Sequence, residues 1–206
     1  NLLGSHDTSR LLAEANEEVD KFKLAYAYLF THSGSPMIYY GDEIGMRYVE
    51  NLHSVEGGYN RTGSRSPMQW DNSTNCGFSS AKKEQLYIQM DPMTDRPTVQ
   101  EQMAEPDSLY HTVRNLIQIR QAHKALQSRG TIEFLYAEKN KYPLCYLRSS
   151  EDGTEKILIV INPSARKESF VCEYLPGRTI YSYGGELEVG GKTITAPAES
   201  VNWYML

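Results

Sequence analysis

Ser33-Gly34-Ser35-Pro36-Met37-Ile38-Tyr39-Tyr40-Gly41-Asp42-Glu43-Ile44-Gly45-Met46 is the stretch on which the reading of the first half of the chain turns. Ser33 to Pro36 gathers residues that stop helices, and Met37 to Tyr40 is a short apolar run closed by Gly41. A run of that length between turn formers predicts a strand buried on both faces. Upstream, from Glu14 to about Thr31, the residues Val19, Phe22, Tyr26, Leu29 and Phe30 recur at steps of three and four, with Glu17, Glu18, Lys21 and Lys23 largely between them. That spacing puts the apolar groups on one stripe and predicts an amphipathic helix.

Downstream the texture changes twice. Between Asp42 and Glu105 lies a long stretch rich in Gly, Asn, Ser, Pro and Asp without sustained periodicity. Its Trp, Met and Tyr residues argue for an ordered, functional loop rather than a disordered one. Pro106-Asp107-Ser108 signals a helix start, and Leu109, Val113, Leu116, Ile117 and Arg120 then share a face through to about Lys124. From Thr131 onward the runs are short and β-rich: 131–136, 142–148, 156–162, 169–174, 179–183 and 201–206. Groups such as Glu151-Asp152-Gly153, Asn162-Pro163-Ser164 and Gly184-Gly185 separate them, which predicts a small antiparallel sandwich. The boundary is placed near Gln127 to Gly130, dividing the chain into an α/β part, 1–126, and an all-β part, 127–206.

Composition narrows the function classes. With 206 residues and 40% hydrophobic content the chain can bury a core. A net charge of −5 with no clustered Lys/Arg block argues against a nucleic-acid partner and suits a neutral, hydroxylated ligand better. Fifteen Tyr against five Phe and two Trp offer rings with a polar tip; these fit sugar faces and equally furnish half-exposed strands. Cys76, Cys145 and Cys172 have no metal-ligand spacing and do not suggest a disulfide framework. No apolar run approaches the roughly 20 residues that cross a bilayer, so no membrane partner is expected. The opening Asn1-Leu2-Leu3 has neither an initiator Met nor a basic leader and reads as the start of an excised piece. The compartment stays open on this reading, with a cytoplasmic one favoured and any secretory signal lying before Asn1.

Three motifs in order carry a resemblance. Asn1-Leu2-Leu3-Gly4-Ser5-His6-Asp7 resembles the strand end at which enzymes of the α-amylase superfamily place a His-Asp pair. Gly34 to Met46, one helix further on, looks like the eighth barrel strand and following turn of that family, a step that a (β/α)8 barrel requires. Arg65-Ser66-Pro67-Met68-Gln69-Trp70-Asp71 with Asn75-Cys76-Gly77-Phe78-Ser79 is similar to a segment of its α-glucosidases, oligo-1,6-glucosidases and trehalose synthases. The resemblance covers residues 1 to about 126 closely and the remainder only as the expected C-terminal β-domain. It implies the last quarter of a TIM barrel (end of strand 7, helix 7, strand 8, long loop, helix 8) followed by an antiparallel β-sandwich. Tyr40 and Asp42 follow the amylase and cyclomaltodextrinase style where many α-glucosidases have Gln and Glu; Ser66 and Cys76 stand for a usual Thr and Ala.

The resemblance implies a retaining glycosidase of α-glucosidic bonds in short malto- or isomalto-oligosaccharides. In such an enzyme one carboxylate attacks the anomeric carbon and another protonates the leaving oxygen. Asp7 matches a third carboxylate that binds sugar hydroxyls and stabilises the transition state, His6 matches a hydrogen-bond donor to the same ring, and Arg65 matches an arginine that recognises the terminal glucose. The residues read on their own leave alternatives: Asp7 as the N-cap of a turn over Thr8 to Leu11, and Arg65 paired with Asp71 or Asp42. Trp70 is expected to pack inside the loop, and Asp42 and Glu43 to orient backbone below the site. The nucleophilic Asp and acid/base Glu should lie upstream, so the chain alone is expected to be inactive and its incomplete barrel prone to self-association. No cofactor and no metal is implied. Competing readings are a transglycosylase of the trehalose-synthase kind, a non-catalytic transporter subunit or binding protein, and a carbohydrate platform on the β-module built from Tyr136, Tyr142, Tyr146, Tyr174, Tyr181 and Tyr183.

Overall fold

The computed structural model describes residues 1–12, 19–57, 59 and 61–206. The chain groups into two compact units, one made of Asn1, Lys23–Pro36 and Asn115–Leu206, the other of Leu2–Phe22 and Met37–Arg114. Both are discontinuous in sequence, so this grouping is not the division at 126/127. It cuts through the two long helices, α1 (Val19–Thr31) and α3 (Leu109–Ala122).

The larger unit holds the β-module. Its strands are β1 (Thr131–Tyr136), β2 (Leu144–Ser149), β3 (Lys156–Asn162), β4 (Glu168–Val171), β5 (Arg178–Tyr183), β6 (Glu188–Gly190), β7 (Thr193–Ala196) and β8 (Ser200–Met205). They form a five-stranded sheet in the order β1-β2-β3-β8-β5 and a three-stranded sheet in the order β4-β7-β6, with every pairing antiparallel. Cys145, Leu158, Val160 and Tyr204 of the first sheet meet Phe170, Cys172, Ile194 and Ala196 of the second in one buried cluster, which is the sandwich core. β6 and β7 escape a reading by periodicity because three or four residues are too few to show alternation. Even so, Ile194 and Ala196 are fully buried. The three cysteines are free and buried.

β3 is buried along both faces from Ile157 to Asn162, because Ile157, Ile159 and Ile161 have to be covered on the side away from the sandwich core. The same unit contains the later part of α1, where Leu24, Tyr26, Ala27, Leu29 and Phe30 are buried. Thr31, the last residue of α1, contacts the Tyr146 hydroxyl through its own. The carbonyls that a helix leaves unpaired at its C-terminus are claimed by two buried guanidiniums. Arg120 donates to the carbonyls of Phe30 at 2.6 Å, His32 at 3.0 Å and Gly34 at 2.6 Å. Arg148 donates to Thr31, to Thr131 at 3.1 Å, to Gln127 at 2.8 Å and to Gly130 at 3.2 Å. Burial lowers the pKa of both, that of Arg148 to about 10. The apolar-face position of Arg120 is thereby explained: it is the cap of another helix.

The second unit is mostly irregular backbone. The helix expected from Glu14 is described from Val19 on, and residues 14–18 lie outside the described residues. The strand expected over Met37 to Tyr40 is reduced to a single parallel bridge, Leu2 to Met37. A buried parallel strand is held by ladders on both sides, and this chain offers it one short neighbour. Asp42 to Ile44 forms a turn of 3-10 helix between Gly41 (φ 85°) and Gly45 (φ 78°), a left-handed backbone that suits glycine. A side chain at 41 would also strike the Met46 sulfur, 2.3 Å from where its Cβ would sit. Ile44, Met46 and Met68 form a small core against Val99 and Tyr110. Inside the long loop the structure adds α2 (Val99–Ala104), whose N-cap Thr98 accepts from the Glu101 amide. Thr98-x-x-Glu101 is a capping signature, and six residues are too few for periodicity to register. Ser108 caps α3, its hydroxyl accepting from the His111 amide at 3.3 Å.

Candidate active site

The site is assembled within the second unit from three separate segments. Ser5 to Thr8 closes a tight turn through its own hydroxyls: the Ser5 amide donates to Thr8 Oγ1 at 3.1 Å and the Asp7 amide to Ser5 Oγ at 3.2 Å. Thr8 to Leu12 forms no helix, so Asp7 is not an N-cap there. The turn presents His6 and Asp7 outward, with their side chains 64% and 55% exposed. Across from them the 64–66 segment is fastened at both ends. Ser64 donates to the Thr8 carbonyl at 2.5 Å, Tyr39 donates to the Ser64 carbonyl at 3.1 Å, and Tyr40 donates to the Ser66 carbonyl at 2.8 Å. Arg65, between those anchors, has little choice of direction.

Arg65 reaches His6 and Asp7 together. Its Nε donates to the His6 carbonyl at 2.9 Å and its Nη2 to Asp7 Oδ1 at 3.1 Å. A second guanidinium, Arg61, donates to the same Oδ1 at 3.1 Å, and His6 Nε2 lies 3.1 Å from Oδ2. The three residues singled out from sequence therefore converge, and Arg65 pairs with neither Asp71 nor Asp42. Asp71 instead accepts from the amide and hydroxyl of Ser73, and Asp42 belongs to a separate buried pair.

Beneath the surface cluster, Arg10 Nη1 meets Asp42 Oδ1 at 2.7 Å and the Tyr40 carbonyl at 2.9 Å. Its guanidinium lies over the rings of Tyr39 and Tyr40 at 4.8 and 5.1 Å, a cation–π placement that supports the two tyrosines fastening the 64–66 segment. Gly4 packs against this pair so closely that a Cβ there would sit 2.4 Å from Asp42 Oδ2. Burial raises the Asp42 carboxyl to about 6 and outweighs the stabilising guanidinium. Burial likewise raises Glu43.

Beside Arg65 opens a cavity of about 450 Å³ whose walls include Tyr40, Glu43, Trp70, Phe78 and Tyr87. One Glu43 oxygen is buried there without a partner among the described residues. Trp70 differs from expectation: it is 49% exposed on this wall instead of packed inside the loop. Glu43 is likewise a wall residue and not just an orienting group.

Chemically, the surface cluster offers one carboxylate, two guanidiniums and one imidazole. That set grips vicinal hydroxyls well, since a carboxylate accepts and a guanidinium donates in a fixed fork. It lacks the second carboxylate that glycoside displacement requires.

The model of the α-amylase catalytic domain matches residues 1–129. The chain belongs to the α-amylase family. A cyclomaltodextrinase of Bacillus sp is 36% identical over 172 residues, which is 84% of this chain and 23% of that protein. The human amino acid transporter heavy chain SLC3A1 is 33% identical over 174 residues, 78% of this chain and 22% of that protein. Among solved structures, the trehalulose synthase MutB of Pseudomonas mesoacidophila superposes with a TM-score of 0.79 at 23% identity, covering the whole chain and 42% of that structure. The chain thus spans less than a quarter of either relative, and the likeness to MutB speaks for the fold.

Arg61 and Arg10 were not singled out from sequence. Arg61 sits four residues before Arg65, so a pair of arginines flanking Thr62-Gly63-Ser64 was the available signal. Nothing local marks Arg10, whose partner Asp42 is 32 residues away.

Proposed function

We propose that this chain forms part of a glycosidase acting on α-glucosidic bonds of short malto- or isomalto-oligosaccharides, with residues 1–126 supplying the end of its barrel and 127–206 its C-terminal β-domain. The observation that carries the reading is the convergence of Arg65 on both Asp7 and the His6 carbonyl. In this assignment Asp7 binds sugar hydroxyls and stabilises positive charge developing at the anomeric centre. His6 donates to the same ring, and Arg65, aided by Arg61, orients the terminal glucose. The nucleophile and the acid/base are supplied by the rest of the longer protein, so the chain by itself turns over no substrate.

In that longer protein, Asp7→Asn lowers kcat on maltose or isomaltose on the order of 100-fold or more, with the far-ultraviolet spectrum and melting temperature unchanged. Turnover close to wild type removes Asp7 from the mechanism. The transporter heavy chain among the relatives favours a second reading, a non-catalytic barrel. It predicts no glucose release from either disaccharide by the intact protein, and a sustained hydrolytic rate dismisses it.

A further inference from the structure

Four of the six tyrosines that the sequence offered as a platform on the β-module are committed elsewhere. Tyr146 is 1% exposed, Tyr174 packs against the sandwich core, Tyr181 lies 5.0 Å from the Trp203 ring, and Tyr183 lies beneath the Lys23 amine at 5.0 Å. Tyr136 and Tyr142 remain, and they line one cleft of about 680 Å³ between the β1–β2 connection and the turn after β3. That volume lies within the range of small-ligand sites, ~300–1,000 Å³. The Tyr136 ring is held by Phe170, 5.5 Å away and itself in the core, while Tyr142 is 45% exposed.

The charge pattern of this cleft decides what it can take. Its two cations are already matched: Lys141 by Glu138 and Arg166 by Glu168 at 2.7 Å. An anion would have to displace one of those carboxylates. The Asn140 amide and the Tyr142 hydroxyl make no hydrogen bond among the described residues, so the unfilled capacity is neutral. A purely apolar ligand would strand that capacity. A pyranose chain meets both demands, since its C–H face lies against an aromatic ring and its hydroxyls reach an amide and a phenol.

We propose that the cleft of Tyr136, Asn140 and Tyr142 is an oligosaccharide-binding site on the β-module, made of residues other than the Asp7 cluster. The saccharide class follows from the cleft's own lining, and the choice of α-linked glucose among saccharides rests on the function proposed above. Calorimetric titration of the chain with maltoheptaose tests it, using Tyr142→Ala and Asn140→Gly. Both positions are on the surface, Asn140 has a positive φ that glycine accepts, and a melting curve checks that each variant folds. The expected result is that Tyr142→Ala weakens binding roughly tenfold or more, that Asn140→Gly weakens it less, and that Arg65→Ala removes only heat from the Asp7 cluster and leaves the Tyr142-dependent component in place. The proposal is overturned if folded Tyr142→Ala binds as wild type, if Arg65→Ala alone abolishes the heat, if the chain binds no maltoheptaose, or if inorganic phosphate competes. An intact protein without hydrolytic activity sinks the first reading and leaves this isotherm standing. Heptaose binding indifferent to Tyr142 does the reverse.

Discussion

Two Arg–Asp pairs in one unit show how differently the same chemistry is used. Arg10 and Asp42 are 0% and 1% exposed, and Arg65 and Asp7 are 32% and 55% exposed. The buried pair has backbone, aromatic faces and Gly4 pressed around it, and leaves Arg10 Nε, Arg10 Nη2 and Asp42 Oδ2 without partners among the described residues. Its atoms have nowhere to go. The exposed pair is contacted from one side by Arg61 and His6 and open on the other, so a ligand can take over its hydrogen bonds in place of water. The lesson is that exposure separates a fastening pair from a binding pair, and the two should respond oppositely to substitution.

The largest expected effect is on the buried side. Arg10→Met leaves the buried Asp42 carboxyl and the Tyr40 carbonyl without their donor and should destabilise the chain by about 3–5 kcal/mol, read from the denaturant midpoint. A loss under about 1 kcal/mol would put this pair in the same class as the exposed one. Next, Arg148→Met removes one of the two guanidiniums at the end of α1 and leaves the buried Thr31 and Gly130 carbonyls and the part-buried Thr131 and Gln127 carbonyls short of a donor, for about 2–4 kcal/mol. If the melt barely moves, buried guanidiniums here are not what holds that helix end.

The pH response sharpens the contrast further. Asp42 in the folded chain holds its proton to about pH 6, above the ordinary aspartate range. Over the interval between those values the native state binds more protons than the unfolded one, so stability conferred by this group is full at the acid end and is lost as pH rises through about 6. Melting curves across that interval should therefore slope downward with pH for wild type, and the slope should flatten in Asp42→Asn. A carboxyl resonance of Asp42 titrating near the ordinary value would refute the burial argument. Smallest of all, Arg65→Ala should change stability by about 1 kcal/mol or less, while raising KM for short substrates in the longer protein. Unchanged KM would discard the assignment of Arg65 to the terminal glucose.

The sequence named His6, Asp7 and Arg65 because they sit in motifs, and it located α1, α3 and six of the eight strands because their apolar spacing is long enough to read. It did not reveal α2, β6 or β7, which are too short to carry a period, although Thr98 and Glu101 marked the first of them. Arg61 and Trp70 show the other limit. Arg61 lies 54 residues from the carboxylate it meets, and Trp70 could as well have been packed inside the loop as placed on a cavity wall.

What the amino-acid order determined by itself was local: the helix stripe, the glycines around Asp42, the alternation of the sandwich strands and the motifs of the α-amylase family. Only the tertiary structure decided which charges became neighbours, that Arg120 and Arg148 cap a helix at a distance in sequence, and that two tyrosines of six line a cleft. Periodicity records the preference of a residue for water or core. The pairing of polar groups is chosen by chain segments that meet after folding, and no spacing along the chain encodes that meeting.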